Sequence, residues 1–120
     1  MMELTVFNFK TIMNNIIREI SISYQSGINR PVKINNSEDA YNILLSNWDM
    51  GTIELQEEFK VLLLNRNNTV LGVCCLSKGG VSGTVVDAKL LFSVSLKCNS
   101  SSIIIAHNHP SGNLKASEAD

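Results

Sequence analysis

Ser101-Ser102-Ile103-Ile104-Ile105-Ala106-His107-Asn108-His109-Pro110-Ser111-Gly112 is the stretch on which the fold turns. Its first half is a short apolar run of β-branched residues, the pattern of a buried strand. The run leads straight into His107. Pro110 cannot continue a paired strand, and Ser111-Gly112-Asn113 turns the chain. Residues i and i+2 of an extended chain point to the same side. His107 and His109, the only two histidines of the chain, therefore present two imidazoles together at the mouth of the strand.

Upstream, Lys60-Val61-Leu62-Leu63-Leu64 is a second apolar run, expected to be a central strand covered on both faces. Gln56-Glu57-Glu58-Phe59 leads into it. Asn67-Asn68 signals a turn, and Thr69 to Leu76 reads as the returning strand. Asn36-Ser37-Glu38-Asp39 offers a cap and first-turn acids for a helix whose apolar positions are Ala40, Ile43, Leu44 and Trp48, with Gly51 as its stop. Asp87 can cap another helix from Ala88 to about Cys98. The alternation Ile20-Ser21-Ile22-Ser23-Tyr24 predicts a half-buried strand. Residues 1–19, with Phe7, Ile12, Ile16 and Ile17, read as an N-terminal arm or helix. Ser117-Glu118-Ala119-Asp120 reads as the first turn of a helix. Helices interleaved with buried strands predict an α/β domain over residues 20–120, C-terminally incomplete because that last helix stops at its first turn.

Composition sets the outer limits. A chain of 120 residues with 44% apolar and 18% charged side chains is one globular domain. Ten basic against eleven acidic side chains leave a net charge of -1, which gives direct DNA binding no support. Three cysteines, Cys74, Cys75 and Cys98, form neither an even set nor a C-x-x-C pair; a reducing, cytoplasmic location and a role as small buried hydrophobes are expected. The opening MMELTVFNFK lacks the pattern of a signal peptide. No apolar run approaches the roughly 20 residues that span a bilayer, so no membrane partner is expected.

Two imidazoles and a carboxylate on a rigid frame suit zinc. Asp120 can supply the carboxylate once the Pro-Ser-Gly turn brings the chain back. Three protein ligands leave one position for water, whose pKa zinc lowers to about 7. A general base must steer that water, and Glu57 or Glu58 can serve, although two acids before a strand are also an ordinary solvated pair. Ser117, three residues before Asp120 and on its face in a helical turn, can donate to a developing oxyanion. The loop with Gly79, Gly80 and Gly83 matches no phosphate-binding pattern, but could form a lid.

His107, His109, Ser117 and Asp120 resemble the JAMM (MPN+) metalloprotease motif, H-x-H-x7-S-x2-D with an upstream Glu. HNHPSG, the run EEFKVLLLN and the loop GTVVD are similar to the RadC family in particular. The resemblance implies a JAB/MPN fold: a cytidine deaminase-like α/β architecture with a mixed β-sheet flanked by helices, here apparently without its C-terminal helix. It implies Zn2+ on His107, His109 and Asp120, Glu57 rather than Glu58 as general base, and Ser117 as oxyanion donor. The implied activity is hydrolysis of peptide or isopeptide bonds through a zinc-bound water, with a peptide or protein as substrate. The alternative it carries is a non-catalytic module associated with DNA repair or mobile elements, working with such proteins as partners, its metal structural or absent. Two departures stand out: Ala116 replaces the proline usual before the motif serine, and Asp120 ends the chain. A missing C-terminal helix would expose apolar surface, so self-association into a homo-oligomer is also expected.

Overall fold

The computed structural model describes residues 18, 20, 21, 23–25, 27, 30–80 and 84–115. Helix α1 spans Ser37–Ser46. Strands β1 (Glu58–Leu64) and β2 (Val70–Lys78) follow, then helix α2 (Ala88–Lys97) and strand β3 (Ser102–His107). Among the described residues the sheet has the order β2-β1-β3, with both pairings antiparallel. The run expected to be central is thus the central strand. Val61 and Leu62, which point to opposite faces, are both fully buried.

Both helices begin where their side chains can cap them. The Asn36 side chain accepts from the Asp39 N–H at 2.9 Å, and the Asp87 carboxylate accepts from the Lys89 N–H at 2.8 Å, each satisfying an N–H that the helix itself leaves open. Helix α1 ends at Ser46 rather than at Gly51. The Asn47 side chain donates to the Ile43 carbonyl at 2.8 Å and closes the helix one turn early. Helix α2 ends through Asn99, at a left-handed φ of 54°, a conformation asparagine tolerates better than most residues. The β1–β2 connection works the same way. Asn68 has φ 56°, and Asn65 Oδ1 accepts from the N–H groups of Asn67 and Thr69 at 2.9 and 3.0 Å, so the local side chain forms the turn.

The even-numbered face of β1 carries the core. Leu62 and Leu64 pack with Ile34, Ala40 and Leu44, and Ile43, Val70, Val73, Ile104 and Ala106 close around them. Helix α1 covers this face. Helix α2 lies on the odd face, where Leu91 flanks a cleft shared with Phe59 and Ile105, and Val94 and Cys98 border another with Leu63.

The described part of the alternation at residues 20–24 lies outside any strand. Ile22 lies outside the described residues, and Ile20, Ser21, Ser23 and Tyr24 are exposed and outside any strand. The Tyr24 hydroxyl instead donates to the Leu71 carbonyl at 2.7 Å. Leu71 is the extra residue where the β1–β2 register slips between Leu63 and Leu64, so its carbonyl is free of the ladder. The cysteines are less buried than expected: Cys74 and Cys98 are half-buried and Cys75 is exposed. Cys75 lies on β2, one of the two edge strands of the described sheet. Burial and the adjacent Cys75 push the Cys74 thiol up from its ordinary value, so it is not an activated nucleophile. The expected arm over residues 1–19, but for Arg18, and the helical turn from Ser117 lie outside the described residues. Among the described residues, no helix is long and apolar enough to cross a membrane.

Glu57 and Glu58, read from sequence as a possible solvated pair, are both buried, at 8% and 2% exposure. Glu58 sits between Lys78, at 3.1 Å, and Lys60, at 3.6 Å. Its carboxylate raises the Lys78 ammonium above its ordinary value of 10.5, first by the side-chain hydrogen bond and then by charge. A raised folded value means that the pair's contribution is fully present below pH 10.5 and fades as pH rises through the folded value. Unfolding followed against pH is therefore expected to show a falling alkaline limb that Lys78→Ala flattens. An identical limb in the variant would show that the pair is not its source.

Candidate active site

The functional geometry grows out of the β1–β3 ladder. Phe59 pairs with His107, and their rings stack 6.4 Å apart at 19°. The same register carried onward sets Glu58 beside Asn108, where the Glu58 N–H donates to Asn108 Oδ1 at 2.7 Å. Glu57 immediately precedes β1, and His109 follows β3 by two residues. Alternation then sorts the side chains. Phe59 and His107 belong to the α2 face of the sheet, and the His109 ring lies beside that of His107. Glu58, Lys60 and Asn108 belong to the α1 face.

The two imidazoles meet with ring centroids 4.6 Å apart and planes tilted by 45°. Both rings are half-buried. Past them, Pro110 and Ser111 form a turn in which the Gly112 N–H donates to the His109 carbonyl at 2.9 Å. Gly112 has φ 72°, a left-handed conformation that glycine adopts without a Cβ clash. This turn was legible in Pro110-Ser111-Gly112.

Glu57 is held by its backbone on the β2 side. Its N–H donates to the Gly80 carbonyl at 3.0 Å, and its carbonyl accepts from the Gly79 N–H at 2.8 Å. The glycine loop thus anchors the acidic residue; Gly83 lies outside the described residues. Next to His107 is a cleft of about 420 Å³, whose walls include Phe59, Val86, Leu91 and Ile105 with Thr84 at the rim. Thr84 is tied to β2 through its hydroxyl, 2.8 Å from that of Ser77.

Of the five residues singled out from sequence, the structure brings His107 and His109 together and sets Glu57, buried, immediately before the neighbouring strand β1. Ser117 and Asp120 lie outside the described residues. No group of three or more metal-binding side chains occurs among the described residues. The two imidazoles nevertheless fit a zinc site in the chemistry of their donors and in their closeness. Asn108 was missed by sequence reasoning. The signal available was its position between two histidines of one strand end, which turns it to the opposite face.

A family model described as a RadC-like JAB domain matches residues 34–120. A UPF0758 protein of Flavobacterium johnsoniae is 44% identical over 88 residues, covering 73% of this chain and 37% of that protein. A UPF0758 protein of Clostridium beijerinckii is 39% identical over 93 residues, covering 78% and 39%. UPF0758 protein SH1266 of Staphylococcus haemolyticus is 35% identical over 97 residues, covering 81% and 41%. The chain thus spans about two fifths of the length of these relatives.

Proposed function

The chain belongs to the RadC-like JAB domain family, and from that premise we propose that it carries the active site of a metallohydrolase that cleaves peptide or isopeptide bonds. The observation that supports the reading is the pair of adjacent imidazoles at the end of β3, with buried Glu57 at the start of the neighbouring strand β1 and Glu58 held in ion pairs with Lys60 and Lys78. His107, His109 and Asp120 would hold a zinc ion, which when bound supplies a Lewis acid and lowers the pKa of water.

The remaining work falls to the protein's own groups. Glu57, buried at 8% exposure and anchored by its backbone, orients the attacking water and takes its proton. The oxygen of that water bonds to the substrate carbonyl carbon, and the Ser117 hydroxyl donates to the oxygen that gains charge. As the carbon–nitrogen bond breaks, Glu57 returns the proton to the leaving amine. The atoms balance as substrate plus water giving a carboxylic acid and an amine.

The testing measurement is zinc content of the purified protein after dialysis. About one zinc ion per chain is expected for a three-ligand site. The His107→Ala/His109→Ala variant, checked for folding by circular dichroism, should hold none. An equal zinc content in the two proteins, or none in the parent, would overturn the metal assignment.

A further inference from the structure

We infer that Asn108 is a positioning residue that fixes Glu57 relative to His107 and His109. The inference rests on the site proposed above, and on one side chain that makes three hydrogen bonds to backbone far away in sequence. Asn108 Nδ2 donates to the Ile53 carbonyl at 2.6 Å and to the Gln56 carbonyl at 2.8 Å. Its Oδ1 accepts from the Glu58 N–H at 2.7 Å. These partners bracket Glu57 on both sides in sequence.

The geometry explains why the bonds are needed. The turns over residues 49–56 close on themselves through the Leu55 and Gln56 N–H groups, both donating to the Thr52 carbonyl at 2.9 and 3.0 Å. The backbone ladder between β1 and β3 stops at Phe59 and His107. Beyond it, the Asn108 amide continues the connection with side-chain atoms in place of a backbone pair. An amide supplies two donors and an acceptor at once. Asp offers no donor at neutral pH, Ser and Thr carry one each, and Gln sets its amide one methylene further out. Alternation sends the imidazoles to one face and this amide to the other, so a single tripeptide both presents the histidines and grips the segment that carries the acid. A displacement of about 1 Å at a reacting group can lower a rate about 100-fold, which gives the clamp its functional weight.

The test combines amide hydrogen exchange by NMR with a mutant cycle on turnover. In Asn108→Ala, protection of the Glu58, Leu55 and Gln56 amides is expected to fall about tenfold, while Val61 and Leu63 keep theirs. Asn108→Asp retains the acceptor, so Glu58 should stay protected and only Leu55 and Gln56 should lose protection. Unchanged exchange at all three amides, or an equal loss along the whole of β1, would overturn the inference. On a peptide or isopeptide reporter, Asn108→Ala should lower kcat with KM little changed, and should add nothing further in a Glu57→Gln background. Additive losses would mean that Asn108 does not act through Glu57. If the parent turns over no such reporter, the hydrolase reading fails by itself, and the exchange pattern still decides whether Asn108 fixes this geometry.

Discussion

Glu57→Gln is expected to lower turnover of a peptide or isopeptide substrate by roughly 10²–10⁴-fold, the usual contribution of a positioned general base. Glutamine keeps the shape and one carbonyl oxygen but cannot accept and return the proton. The fold should tolerate it, because the bonds that anchor residue 57 to Gly79 and Gly80 come from its backbone. Zinc content should also survive, since the ligands assigned are His107, His109 and Asp120. The informative comparison is Glu58→Gln. That carboxylate is taken up in ion pairs with Lys60 and Lys78, so its loss should appear in stability and leave turnover largely intact. Parallel measurement of kcat and of thermal unfolding separates the two acids. Full turnover in Glu57→Gln, or a collapse of turnover in a folded Glu58→Gln, would reverse the assignment.

That distinction shows where sequence reading reaches and where it stops. The elements that rest on local rules were legible: a cap at Asn36 and at Asp87, the asparagine turn between β1 and β2, and the apolar run that became the central strand. The H-x-H pair could be placed on one side because strand alternation is a fixed period. Choosing between Glu57 and Glu58 by chemistry was out of reach. Two adjacent acids differ by one step of that alternation, and the sequence does not announce that one of them, Glu58, is held by Lys60 and Lys78. The register against β3 made Asn108 a long-range clamp, with partners more than 50 residues away, a relation no local pattern announces. Residues 20–24 failed for the opposite reason. Their alternation is good, but a strand needs a partner edge, and among the described residues Tyr24 reaches β2 through its hydroxyl.

The α1 face of the sheet carries the largest expected loss of stability. Lys60 is buried to 8% exposure. Its ammonium donates to the Asn47 carbonyl at 2.7 Å, lies 3.6 Å from Glu58 and sits 4.8 Å from the centre of the Trp48 ring. It therefore ties the end of α1 to the first turn of β1 and compensates a carboxylate that is 2% exposed. Lys60→Ala strands that carboxylate with Lys78 alone, whose side chain is 60% exposed, and is expected to destabilise the fold by about 3–5 kcal/mol. For a domain whose whole stability is typically about 5–15 kcal/mol, that is about a fifth or more. The chain's single tryptophan is Trp48, so its fluorescence reports the transition in urea directly. Lys60→Met keeps the aliphatic stem against the ring and separates packing from charge. The cost of losing Lys60 includes leaving Glu58 with the exposed Lys78 alone, so the double variant Glu58→Gln/Lys60→Met should be more stable than the sum of its single losses predicts. Strict additivity would mean that the two side chains are energetically independent, and that Lys60 holds the fold through Asn47 and Trp48 alone.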